Sequence, residues 1–151
     1  MEALELPTVK VALLCDDVRR EITGKEIIIG VFSDQINVVS FPITIILTLY
    51  MRVIFSNSNT KYPIEFRAIN ASGNQLVPVA KTVLDSLNAT QTSTAVLGPV
   101  PLHIQAPGAI SFQWRLENRE WTTITILDVA PVPTGDAVPP GEVIIQKMTT
   151  A

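Results

Sequence analysis

Asp16 and Asp17 stand side by side between two apolar segments, directly after the chain's only cysteine, Cys15. Paired carboxylates can share a proton, ligate a hard cation, or serve as a general acid and base. Strand geometry restricts those roles, because neighbouring side chains on a regular strand point to opposite faces. Arg19, Arg20 and Lys25 follow closely and offer another use. In that reading the carboxylates end a strand, accept turn hydrogen bonds and pair with nearby cations. Asp16, Asp17, Arg19 and Lys25 therefore form a candidate polar rim, weighed against metal binding, acid–base chemistry and partner binding.

Cys15 shares strand parity with Val11 and Leu13, which predicts a small buried hydrophobe rather than a nucleophile. The only histidine, His103, lies between Leu102 and Ile104. A Cys15–His103–Asp constellation would need the fold to bring distant positions together. One cysteine and one histidine do not fill a Cys- or His-rich zinc site. Asp16, Asp17 and Asp34 lack the regular spacing of a calcium loop, and Gly24 and Gly30 do not form a phosphate cradle. No residue is assigned to catalysis, to a cofactor or to a metal. Trp114 and Trp121 form a candidate ligand surface across a terminal hairpin, set against the ordinary use of tryptophan in packing.

The elements that must position these residues are strands. Val9 to Cys15 predicts the first, and Lys25 to Phe32 the second, with Gly30 marking a bulge or close packing. Ile45, Leu47, Leu49, Met51, Val53 and Phe55 recur at every second position. Asn57 to Thr60 reads as a turn into the alternating Tyr62, Ile64, Phe66 and Ala68. That pairing predicts an antiparallel hairpin. Shorter extended segments are expected at Gln75 to Val79, Thr92 to Leu97 and Val100 to Ile104, while Val79 to Leu87 fits a strand or a helix. After Pro107-Gly108, Ile110, Phe112, Trp114 and Leu116 alternate with polar residues, and a turn at Glu117 to Glu120 leads to a last strand from Trp121 to Val129.

Size and charge narrow the classes. The 151 residues are 47% hydrophobic and 17% charged, which suits one folded domain and opposes wholesale disorder. Eleven basic and fourteen acidic residues give a net charge of −3, with no broad basic footprint for nucleic acid. Val38 to Phe55 is greasy, but Ser40, Pro42, Thr44, Thr48 and Arg52 interrupt it, so it predicts a buried strand rather than a membrane span. The N-terminus lacks the pattern of a signal peptide, and a single cysteine suits a reducing, cytoplasmic setting.

Two segments carry a resemblance. Ala12-Leu13-Leu14-Cys15-Asp16-Asp17-Val18-Arg19, with Gly24-Lys25 and Ile29-Gly30-Val31-Phe32, resembles a family of small uncharacterised bacterial proteins. Pro107-Gly108-Ala109-Ile110-Ser111-Phe112 is similar to the Pro-Gly hairpin of immunoglobulin-like sandwiches. The resemblance implies an all-β, Greek-key, immunoglobulin-like β-sandwich of about 7–9 antiparallel strands, and it implies no catalytic residue.

The expected organisation is a sandwich domain over 7–130 and a Pro-rich extension over 131–151 that carries a short β-prone segment, Gly141 to Met148. The expected function is a noncatalytic structural or protein-interaction role, as a homo-oligomer or with a protein partner, with the C-terminal tail as the candidate docking segment. A carbohydrate- or small-ligand-binding module and a metal-dependent hydrolase are the alternatives. Neither nucleic acid nor membrane is an expected partner.

Overall fold

The computed structural model describes residues 3–133 and 142–144, and every regular element among them is a strand. In order these are β1 (Thr8–Arg20), β2 (Glu26–Val31), β3 (Gln35–Val38), β4 (Ile43–Ile54), β5 (Thr60–Ile69), β6 (Ala80–Ser86), β7 (Thr92–Ile104), β8 (Gly108–Leu116), β9 (Thr122–Pro131) and β10 (Glu142–Ile144). One sheet runs β2-β1-β4-β7. The second runs β3-β9-β8-β5-β6, with the short β10 added outside β3.

The two sheets face each other because their alternating apolar residues have nowhere else to go. Ile45, Leu47, Leu49, Met51 and Val53 project from β4, and Ile64, Phe66, Phe112, Trp114 and Leu127 project from the second sheet into one buried cluster. Fully burying an aliphatic or aromatic side chain contributes about 1.5–3 kcal/mol, so this shared interior is the main source of cohesion. Trp114 packs beside Phe66 with ring centroids 6.0 Å apart.

The expected hairpin between the two clearest alternating runs does not form. β4 and β5 belong to different sheets, and the chain between them arches across the interior. Phe55 and Tyr62 meet there with ring centroids 4.8 Å apart. The Tyr62 hydroxyl accepts from the Asn57 backbone N–H at 3.0 Å, and the Ser86 hydroxyl donates to the Asn57 carbonyl at 2.6 Å. Two runs with period-2 alternation look the same in sequence whether they pair or face each other across a core.

Other expectations also change. Gln75 to Val79 is not a strand and makes only the bridge Ile69↔Gln75. Thr92 to Leu97 and Val100 to Ile104 are one strand, β7, bulged where it passes Leu47 and Leu49. Gly98 sits in that bulge at φ +127, and a Cβ there would lie 2.9 Å from the Leu47 carbonyl oxygen. The greasy stretch is not one strand, because Val39 is exposed and β4 begins only at Ile43. β3 was not expected, and its pairing with β9 is parallel, so the strands are not all antiparallel. The last hairpin, β8 with β9, is antiparallel as expected. Within the 131–151 extension, Glu142–Ile144 pairs in parallel with β3 of its own chain, and the remainder of the β-prone segment lies outside the described residues.

β1 departs most from its expected form. It continues through Asp16 and Asp17 to Arg20 rather than ending at the acidic pair. Its pairing with β4 stops at Cys15↔Thr48, and from Asp17 onward its partner is β2 alone. The Thr48 hydroxyl reaches the Asp16 carbonyl at 3.4 Å where β1 leaves the sheet. Opposite this point Gly30 has φ +66, and a Cβ there would overlap the Asp16 carboxylate. Gly30→Ala should therefore lower stability by at least roughly 1–2 kcal/mol from the left-handed backbone alone. Urea denaturation of Gly30→Ala and of Asp16→Ala/Gly30→Ala checks this, with the double variant recovering only the steric part of the loss.

Candidate functional site

The outer face of the four-stranded sheet holds an unexpected group of buried side chains. Cys15, Thr48 and Tyr50 are 0%, 2% and 5% exposed, although the sandwich interior lies on the sheet's other side. Something must cover them, and the hairpin of β1 and β2 does so. Tyr50 pairs with Leu13, whereas Glu26 pairs with Arg20, seven residues further along β1. A straight strand would separate those positions by about 23 Å. The Tyr50 hydroxyl nevertheless donates to Glu26 Oε2 at 2.6 Å. The hairpin must bend at Asp16 and Gly30 and fold back over the sheet as an arm.

Electrostatics hold the arm at its tip. Partial burial opposes ionisation of Glu26, but hydrogen bonds from Tyr50, Thr94 and Arg20 outweigh it and hold the carboxyl below its usual range. Burial, then the Glu26 hydrogen bond, pushes the Tyr50 phenol up. Arg20 Nη2 lies 3.4 Å from Glu26 Oε1 as the outer member of the group.

The candidate rim residues are distributed along this arm rather than gathered into a pocket. Asp17 faces solvent, bonded to Arg19 at 2.9 Å and to the Val18 N–H at 2.9 Å. Asp16 is exposed and lies over Gly30. Lys25 is exposed in the arm's turn, where its carbonyl accepts from the Glu21 N–H at 2.8 Å. Cys15 is buried, and its Sγ lies 3.6 Å from the Thr48 carbonyl. Burial, then the charges of Asp16 and Asp17, pushes the thiol's pKa up, which suppresses the thiolate.

His103 bonds Thr44 through Nδ1 at 2.8 Å. Thr44 lies four residues from Thr48, about 13 Å along the strand, so the Cys15–His103 constellation does not assemble. Asp34 sits between β2 and β3, its carbonyl accepting from the Asp128 N–H at 2.8 Å. Among the described residues no three His, Cys, Asp or Glu side chains are grouped to hold a metal ion.

Trp114 and Trp121 do not share a surface. Trp114 is 2% exposed in the interior, and Trp121 lies on the outer face of the second sheet. There the guanidinium carbons of Arg67 and Arg115 each lie 4.2 Å from its ring centroid. The same face buries Glu65, whose direct cross-strand neighbours are Lys81 and Arg115. Hydrogen bonds from Lys81 at 2.8 Å and Arg115 at 2.6 Å hold the Glu65 carboxyl below its usual range. The charged alternation of Glu65 and Arg67 was visible in sequence, but the strand that brings Lys81 alongside was not.

A third feature is an apolar cavity of about 290 Å³ between the sheets, lined by Leu49, Phe66, Leu76, Leu97, Leu102 and Phe112 among others. Sequence reasoning missed it, because each lining residue reads as ordinary core.

With these features in place, the chain can be compared with known proteins. A family of unknown function (DUF6941) matches residues 10–127. The chain belongs to this family. The matched span of this DUF6941 member begins in β1 and ends in β9, so it takes in the arm, both sheets and the cavity. A search of curated proteins returns no match.

The Tyr50–Glu26 bond gives a pH prediction. A lowered Glu26 carboxyl contributes stability above its unfolded value, lost as pH falls through its folded value. A raised Tyr50 phenol contributes stability below its unfolded value, lost as pH rises through its folded value. Tyr50→Phe should cost about 1.5–3 kcal/mol near neutrality and less at both extremes. Urea unfolding followed across the pH range measures that difference.

Proposed function

We propose that the chain is a noncatalytic, immunoglobulin-like Greek-key sandwich that works by assembly with a second copy of itself. Support for the fold type comes from strand neighbours: β5, β8 and β9 stand in the order of the C, F and G strands, and β4 beside β7 stands in the order of B and E. β6 beside β5 corresponds to the added strand of the variable type. Fold analogy carries no function by itself.

The functional reading rests on β2. It is the edge strand of its sheet, and it presents Ile27, Ile29 and Val31 at 42%, 38% and 44% exposure. An exposed edge with alternating apolar residues is a template for strand addition. The order is self-complementary: in antiparallel pairing about Ile29, Ile27 of one copy meets Val31 of the other. Such a contact closes on itself as a two-fold dimer and leaves no repeating edge. The bent arm holds β2 in place, so the edge needs little ordering on association. A reducing, cytoplasmic setting belongs to this reading, since the single cysteine of the chain closes no disulfide within it.

Sedimentation analysis of wild type and Ile29→Lys tests the proposal. Wild type should sediment as a dimer whose melting temperature rises with protein concentration, and the variant as a monomer with unchanged circular dichroism and a melting temperature independent of concentration. A wild-type monomer at every concentration would overturn it.

A further inference from the structure

We infer that the inter-sheet cavity is a binding site for a compact, uncharged apolar molecule, independent of the β2 edge. The cavity measures about 290 Å³. Its deep wall is drawn from the core: Leu49, Phe66, Leu102 and Phe112 are 3%, 4%, 1% and 6% exposed. An apolar cavity of about 150 Å³ accepts benzene. Nearly twice that volume suits a chain or fused ring of roughly ten carbons. Close-packed interiors leave few gaps larger than a water molecule, so an apolar opening of this size stands out from the rest of the core.

The fold explains why the space is open. β7 is the edge of the four-stranded sheet and β6 the edge of the second, and among the described residues no strand joins them on that side. β6 pairs with β5 only as far as Phe66↔Ala80, after which Leu76, Val77 and Pro78 form one lip of the cavity. The bulge of β7 supplies the other lip, with Leu97 and Val100. Entry therefore runs between the edge of β7 and the loop that leads into β6.

The polar groups near the mouth select against charge. Arg67 borders the cavity, but its Nε donates to Gln113 at 2.8 Å and its guanidinium stacks on Trp121. His103 borders it as well, with Nδ1 engaged by Thr44. A carboxylate entering the cavity would lose its hydration with no cation turned toward it. Gln113 is likewise engaged, by Arg67 through Oε1 and by Thr123 through Nε2, so a neutral molecule, which has little hydration to lose, is the better guest.

Calorimetric titration with 1-decanol and with decanoate, alongside melting curves, tests this inference. One molecule of 1-decanol should bind per chain and raise the melting temperature, with decanoate at least about tenfold weaker. Val100→Trp at the mouth should weaken 1-decanol binding by about tenfold or more. Ala68→Leu, which fills the cavity from within, should raise the melting temperature of the free protein and weaken binding likewise. Absence of binding by wild type would overturn the inference, as would binding that both variants leave unchanged. Ile29→Lys should bind 1-decanol as wild type does, which separates this site from the assembly surface.

Discussion

The hydrogen bond from Tyr50 to Glu26 ties together positions that a straight hairpin would hold far apart. It sets the shape of the four-stranded sheet. A strand that simply ended at Asp16 would leave Cys15, Thr48 and Tyr50 open to water on the outer face. Continuing β1 to Arg20 and folding it back with β2 covers them and supplies the carboxylate that satisfies the tyrosine hydroxyl. The bend needs Gly30, because no side chain fits beside Asp16 in that left-handed conformation. The same bend leaves Ile27, Ile29 and Val31 exposed, so the apolar edge follows from the way the outer face is closed.

The second sheet handles its outer face differently. It places Glu65 between a cation on each neighbouring strand and lays Trp121 against two guanidinium groups. Charge is the cover there, and a folded arm is the cover on the first sheet. Between the two faces the interior is packed tightly around Trp114 and loosely toward the β6 and β7 edges. The apolar cavity lies at this loose side, where sandwich closure is left to a loop and a bulged strand.

Much of the all-β architecture was legible in the sequence. The alternation from Ile45 to Phe55 and from Ile110 to Leu116 marks two central strands correctly, and the Glu117 to Glu120 turn marks the hairpin they lead to. Pairing was less legible, because period-2 alternation reports which face a residue takes and says nothing about its neighbouring strand. That is why Phe55 and Tyr62 read as hairpin partners when they meet across the core. β3 escaped notice because Gln35–Val38 is short and its partner β9 is ninety residues away in parallel register. Asp16 and Asp17 read as a candidate polar rim at the end of a strand, and no local pattern announces that the strand bends and continues through them. The cavity is invisible to sequence for a related reason: it is a gap among residues that all look like core.

The arm folds back and seals Cys15 beneath it, leaving the thiol 0% exposed. As the only cysteine, Cys15 reports this directly through its rate of labelling by an aromatic disulfide reagent under native conditions. Labelling should be slow in wild type and markedly faster in Glu26→Ala, with circular dichroism unchanged. Labelling of the wild-type thiol as fast as a free cysteine, or an equal rate in both proteins, would contradict it.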